Sequence, residues 1–199
     1  MVYAFQGHVP VVHPSSFIHP LAAVTGQVII GKKCYIGPGA AIRGDWGKII
    51  IEDGCNVQEN CTIHMFPGVT VLLQKGAHIG HGAIIHGATI GKHCLVGMNA
   101  VIMDEVVLGD ECIVGALSFI KQGEVFAKRS LIVGNPARFI KKVSTEMMQW
   151  KKKGTAIYQA LPQQCAKTLI ACEPLTKQPK HEQLVNAVTY NTWKNTKNI

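Results

Sequence analysis

An aliphatic residue returns at every sixth position through most of this 199-residue chain, and that period leaves few folds open to it. The series runs Ile18, Val24, Ile30, Ile36 and Ile42, then Ile51, Val57 and Ile63, then Leu73, Ile79 and Ile85. It closes with Ile90, Val96, Ile102, Leu108, Val114 and Ile120. A period of six is neither the 3.6 of a helix nor the 2 of a half-buried strand. It describes short flat segments with a corner after each, three of which close a triangular coil of about 18 residues, stacked at a strand spacing of ~4.8 Å. The aliphatic side chain points into the prism, and a small residue four places later fits the inside corner. That slot holds Cys34, Ala40, Cys55, Cys61, Ala83, Cys94, Ala100, Cys112 and Ser118. Five of the seven cysteines therefore read as small core residues. There is no Cys-x-x-Cys, and the count is odd, so neither a disulfide framework nor a thiolate metal site is indicated.

The prediction is an all-β chain, a parallel β-helix with three faces per coil, followed by a C-terminal α-helix. Repeats fill roughly residues 10–133 of a β-helix domain spanning 1–137, which Gly134-Asn135-Pro136-Ala137 brings to an end. A helical segment is expected over 138–172, with Ser144 as N-cap and a first stretch ending near Gly154. Helix resumes through Tyr158 to Cys172, with a break near Pro162, and Cys165 and Cys172 fall on one face of it. Residues 173–199 form a polar tail rich in Asn, Gln, Thr and Lys, for which no structure is expected.

Hydrophobic residues make up 47% and charged residues 16%, the balance of a chain that folds. No run of about 18 apolar residues is present, so no membrane span is predicted. Residues 1–7 lack the basic and apolar stretches of a signal peptide, and the expected location is the cytoplasm. The formal charge of +8 includes Lys32-Lys33, Lys141-Lys142 and the triplet Lys151 to Lys153, widely spaced and without interleaved aromatics. The triplet reads as a solvated helix face, and no nucleic-acid partner is predicted. An anionic small molecule, such as a phosphate-bearing cofactor, suits the same charge.

Histidines carry the strongest chemical signal. His64 follows the inward Ile63 and His86 follows the inward Ile85, one full coil apart, with the four-residue excess between them bulging as a loop around Phe66-Pro67-Gly68. Arg43 follows Ile42 and stacks in the same row, so Arg43, His64 and His86 form an outward ladder. His81 belongs to the preceding face, which it shares with Gln58, and one chain cannot bring all three histidines together. A cyclic homotrimer can, by setting the ladder of one copy against the His81 face of the next. Three neutral imidazoles with an open fourth position make a catalytic metal geometry, for which Zn2+ is the first expectation and Fe2+ or Co2+ fit the same ligands. The plainer alternative is three unrelated interface histidines bonded to backbone. His8, His13, His19, His78 and His93 are read as surface or loop residues.

With these residues in view the chain resembles the bacterial-transferase hexapeptide family, whose members form left-handed parallel β-helices, and within it the gamma-class carbonic anhydrases. The pattern is Arg43-Gly44-Asp45, then Asn56-Val57-Gln58-Glu59, then His64, His81 and His86. The resemblance implies a trimer with interfacial metals, an Arg43–Asp45 pair at the interface, and Gln58 orienting a metal-bound water. A narrower likeness is to the PaaY/CaiE-like branch of phenylacetic acid degradation and carnitine operon proteins. It rests on Pro10-Val11-Val12, on the run from Gly80 to Gly87, on Val96 to Val101 and on Trp150 to Thr155. The phenylacetate type is similar to a thioesterase of CoA adducts.

The function these readings predict is metal-dependent hydrolysis of CoA thioesters, with a water whose pKa the ion lowers to about 7 attacking the carbonyl, held by Gln58, and Glu59 as candidate proton acceptor. Hydration of CO2 to bicarbonate from the same site is the first alternative. Between Glu59 and Asp104 there is no Asp or Glu, so the loop after the first histidine carries no acid to export protons and is apolar instead. A hexapeptide acyltransferase and a non-catalytic accessory scaffold complete the alternatives.

Overall fold

The computed structural model describes residues 1–178 and 190–194. Its strands form the three-sided parallel β-helix that the six-residue period predicts, with about 18 residues separating the rungs that pair along each face. One face carries Thr62–His64, Ile84–His86, Val101–Ile102 and Phe119–Ile120. A second carries Thr70–Leu73, Thr89–Ile90, Val107–Leu108 and Val125–Phe126. The long strands Ala23–Ile30 and Ala41–Ile51 bend from the first face onto the second and join them into one sheet. The third face stacks Phe17–Ile18, Tyr35–Ile36, Asn56–Val57, His78–Ile79, Leu95–Val96, Ile113–Val114 and Ser130–Gly134.

Burial explains the period. Val24, Ile42, Ile63, Ile85, Ile102 and Ile120, the inward row of the first face, are all shut off from solvent, as are the small residues in the corner slots. The thiol of Cys61 donates to the Gly80 carbonyl at 3.1 Å and that of Cys94 to the Gly109 carbonyl at 3.1 Å, so the corner cysteines also serve backbone acceptors. Burial pushes the Cys34 and Cys61 thiols up to about 11. These are packing residues, not nucleophiles.

Ala137–Lys142 folds back antiparallel on Ser130–Gly134, so Gly134 to Ala137 make a hairpin turn at the position where the repeat was expected to end. One continuous helix, α1 (Thr145–Thr168), follows, with the Ser144 hydroxyl accepting from the Met147 amide as predicted. The expected end near Gly154 and break near Pro162 do not occur, because α1 is held along its length against the third face. Gly154 instead makes room: a Cβ there would lie 2.6 Å from the Tyr190 hydroxyl. Cys172 lies beyond α1 and is exposed, so it does not share a helical face with Cys165. The lysine triplet is not uniformly solvated either. Lys151 is 2% exposed and donates to the Gly76 carbonyl at 2.8 Å, while Lys152 and Lys153 face solvent. Of the predicted polar tail, residues 179–189 and 195–199 lie outside the described residues. Tyr190, by contrast, is placed, its ring stacked on Trp150 at 5.6 Å.

Candidate metal centre

The first face presents the predicted ladder. His64 and His86 are paired in register, with ring centroids 5.4 Å apart. His86 turns Nδ1 to the carboxylate of Asp104, 2.8 Å from each oxygen. Asp104 stands 18 residues on, one coil along, and is itself buried. Gly87 permits this contact: it adopts φ 58, and a Cβ there would collide with the Asp104 carboxylate. His64 has its Nε2 between Asp45 Oδ1 at 2.9 Å and Arg43 Nη2 at 3.1 Å. Burial raises the Asp45 carboxyl, but its hydrogen bond to His64 and the nearby Arg43 charge outweigh that and hold it below the usual carboxylate range. Exposed Trp46 lies 5.1 Å from the His64 ring, and exposed Phe66 meets the His86 ring edge-on at 5.1 Å.

His81 sits at the corner following the third-face strand His78–Ile79, on a different face from that ladder. Its Nδ1 bonds Glu59 Oε2, and the other Glu59 oxygen accepts from the Tyr35 hydroxyl at 3.2 Å. Gly82 adopts φ 70, and a Cβ there would strike the Asn99 side chain, which would have to move to admit one. Glu59 is thus engaged on both oxygens, in the position of an orienting group for His81. Gln58, 2% exposed, spends its amide NH2 on Asn56 Oδ1 at 2.9 Å and His78 Nε2 at 2.7 Å, which leaves Oε1 as its remaining polar atom.

Expectation and structure differ most at His78. It is not a surface residue: it lies beneath α1, bonded through Nδ1 to the Thr155 hydroxyl at 3.2 Å, with Tyr158 edge-on at 5.1 Å. Burial, reinforced by the Lys151 and His81 charges, lowers its pKa to about 3, so it stays neutral. The chain Thr155–His78–Gln58–Asn56 therefore ties α1 to the candidate site. Sequence reasoning missed His78 because nothing in the six-residue repeat says which outward row a distant helix covers. Asp104 was within reach, since one coil on from Gly87, the residue after His86, arrives at it.

Among the described residues of one chain, no three His, Cys, Asp or Glu side chains gather to hold a metal. The donor chemistry of two of the three histidines nonetheless fits one, whereas the Nε2 of His64 would have to exchange Asp45 and Arg43 for the ion. His81 and His86 each direct Nδ1 at a carboxylate, the outer-sphere partner that fixes a ligating imidazole's tautomer, and among the described residues neither Nε2 has a partner.

A three-faced solenoid of six-residue rungs, closed by a terminal helix, defines a hexapeptide-repeat β-helix protein, and the family model "Bacterial transferase hexapeptide (six repeats)" matches residues 10–44 and 87–122. The carnitine operon protein CaiE of Proteus sp. (strain LE138) is 46% identical over 175 residues, covering 88% of this chain and 89% of that one. CaiE of Escherichia coli K12 is 44% identical over 187 residues, covering 94% and 95%. The chain belongs to the CaiE family of hexapeptide-repeat proteins. Its fold is shared with the product of the BC4754 gene of Bacillus cereus, at a TM-score of 0.82 and 31% identity over 85% of this chain and 98% of that one. A hexapeptide transferase family protein from Anaplasma phagocytophilum gives 0.79 and 31% over 82% and 96%. No helix among the described residues is long and apolar enough to cross a membrane.

Proposed function

We propose that this chain is a metal-dependent hydrolase of CoA thioesters that works as a homotrimer, with His64 and His86 of one copy and His81 of the next holding the ion. The observation that carries the reading is the pair of carboxylate-backed imidazoles, His86 on Asp104 and His81 on Glu59, on different faces of the chain. When bound, a divalent ion polarises the thioester carbonyl and lowers the pKa of a coordinated water to about 7. Zn2+ suits the imidazole set, and Fe2+ or Co2+ are tolerated by it.

The chain's own residues supply the rest. Gln58 Oε1 accepts a hydrogen bond from the attacking water and aims it. Asp104 and Glu59 accept from Nδ1 of His86 and His81, which turns each Nε2 lone pair outward for the ion. The water oxygen bonds the acyl carbon and the carbon–sulfur bond breaks; one proton of the water passes to the thiolate, which leaves as free CoA, and the other to solvent with the carboxylate as second product. Phe66 and Trp46, exposed beside the histidines, give an apolar wall for an aryl or alkyl acyl group. The loop composition supports thioester hydrolysis over CO2 hydration. Rapid hydration requires rapid proton export, and the loop between His64 and Thr70 offers no carboxylate for it.

The test is a pair of assays on Zn-loaded protein: thiol release from arylacetyl-CoA and hydration of CO2. Thiol release that disappears in His81→Ala, with the assembly unchanged by light scattering, is the expected result. Fast CO2 hydration without thiol release would replace this reading by carbonic anhydrase. Acyl transfer to an amine that persists after chelation would replace it by acyltransferase, and inactivity with every metal and substrate by an accessory scaffold.

A further inference from the structure

A second cavity, of about 650 Å3, opens where the hairpin strand Ala137–Lys142 meets the start of α1. Lys141, Lys142 and Lys153 line it against a single carboxylate, Glu146, and none of the three lysines has an ion-pair partner among the described residues. Trp150 and Tyr190, stacked with an interplanar angle of 21°, form its aromatic wall. Unpaired ammonium groups beside a flat aromatic surface have the chemistry that holds phosphates and a planar base together.

This cavity shares Met147, Trp150 and Tyr190 with an apolar groove of about 760 Å3 between α1 and the third face. The groove passes Leu95, Ile113 and Ile157 and ends at Gln58, Glu59 and His81. The outward row His78, Leu95, Ile113, Leu131, Lys141 measures the path. Four inter-strand steps at ~4.8 Å put the lysines ~19 Å from the His78 rung, a span suited to a narrow flexible arm.

We infer that the lysine–aromatic cavity seats the phosphorylated nucleotide end of a thioester substrate, and that the groove carries its arm to His81. This deepens the CoA-thioester reading and rests on it for the reacting end only. The base packs on Trp150, the phosphates meet Lys141, Lys142 and Lys153, and the arm lies along apolar side chains.

The test uses the full-length, metal-loaded protein and two probes. The first is adenosine 3′,5′-bisphosphate, titrated by calorimetry into wild type and into the triple variant Lys141→Gln, Lys142→Gln, Lys153→Gln. Binding weakened at least tenfold by the variant, and weakened by salt in the wild type, is expected. The second probe is a matched pair of thioesters, one on CoA and one on N-acetylcysteamine, which lacks the nucleotide. The wild type should favour the CoA form through KM, and the triple variant should lose that preference. Trp150→Leu gives an independent check and should weaken bisphosphate binding with the lysines intact. Bisphosphate that binds wild type and triple variant equally, or does not bind at all, overturns the assignment. Lysine-dependent binding without any hydrolysis would keep the cavity and discard the thioesterase reading. Hydrolysis with a KM indifferent to the lysines would do the reverse.

Discussion

His86 and Asp104 show how a six-residue repeat builds second-sphere support without a dedicated loop: the carboxylate comes from the corner one coil on from Gly87, which follows His86. Because it fixes the imidazole through Nδ1, Asp104→Asn should leave the prism folded and weaken metal affinity by about 10- to 100-fold, read by competition with a chromophoric chelator. An unchanged affinity would place Asp104 in packing alone. Residues of this kind were partly legible in the sequence. The outward ladder of Arg43, His64 and His86 followed from counting, because an inward neighbour dictates where the next side chain points. Engagements of His78 and Lys151 did not, because both depend on α1 crossing the third face, which local periodicity does not encode. Gln58 was chosen from resemblance, and only the structure shows that its NH2 is already spent, so that an acceptor is what it offers.

Helix α1 departs most from expectation, running unbroken through Gly154 and Pro162. A propensity argument counts what each residue costs in isolation. Here the packed length of the helix against the third face outweighs two unfavourable positions. Its buried Lys151 gives the element a pH signature. Burial lowers the ammonium pKa to about 8, with the Cys94 and Cys55 thiols, Lys152 and Glu111 as its titratable surroundings. Between pH 8 and the ordinary lysine value, the unfolded chain holds a proton that the folded one has released, so stability rises with pH across that window and is flat below it. Buried tyrosines and thiols act in the opposite sense at higher pH, so the comparison must be differential. The stability of wild type minus that of Lys151→Met, from denaturant midpoints, should climb from pH 8 to pH 10. A flat or falling difference would show that the amine stays protonated in its bond to Gly76.

At the scale of the molecule the proposed centre belongs to no single chain. That makes a complementation experiment decisive. His81→Ala keeps an intact ladder, and His86→Ala keeps an intact His81, so each alone should bind no metal tightly. Trimers reassembled from a mixture of the two contain interfaces with a complete set of three imidazoles and should regain a fraction of the metal and of the thiol release. Recovery in neither quantity, with mixed trimers verified by mass, would mean that the histidines do not meet across copies. The fold class itself was readable from the chain because seventeen aliphatic positions keep a six-residue spacing in four runs, resumed after each interruption. Assembly is a matter of surfaces, on which that spacing is silent.

The antiparallel return of Ala137–Lys142 has a consequence for how the solenoid stops. A stack of parallel rungs exposes, at its last coil, the same unpaired edge that every earlier coil used to recruit the next, and that edge invites end-to-end growth into fibres. Reversing the final strand turns its far side into a rung of the wrong polarity for further coils of this kind. The two lysines at its end add like-charge repulsion against another copy. By this device the chain closes the growing edge of its third face while leaving its flanks free to associate.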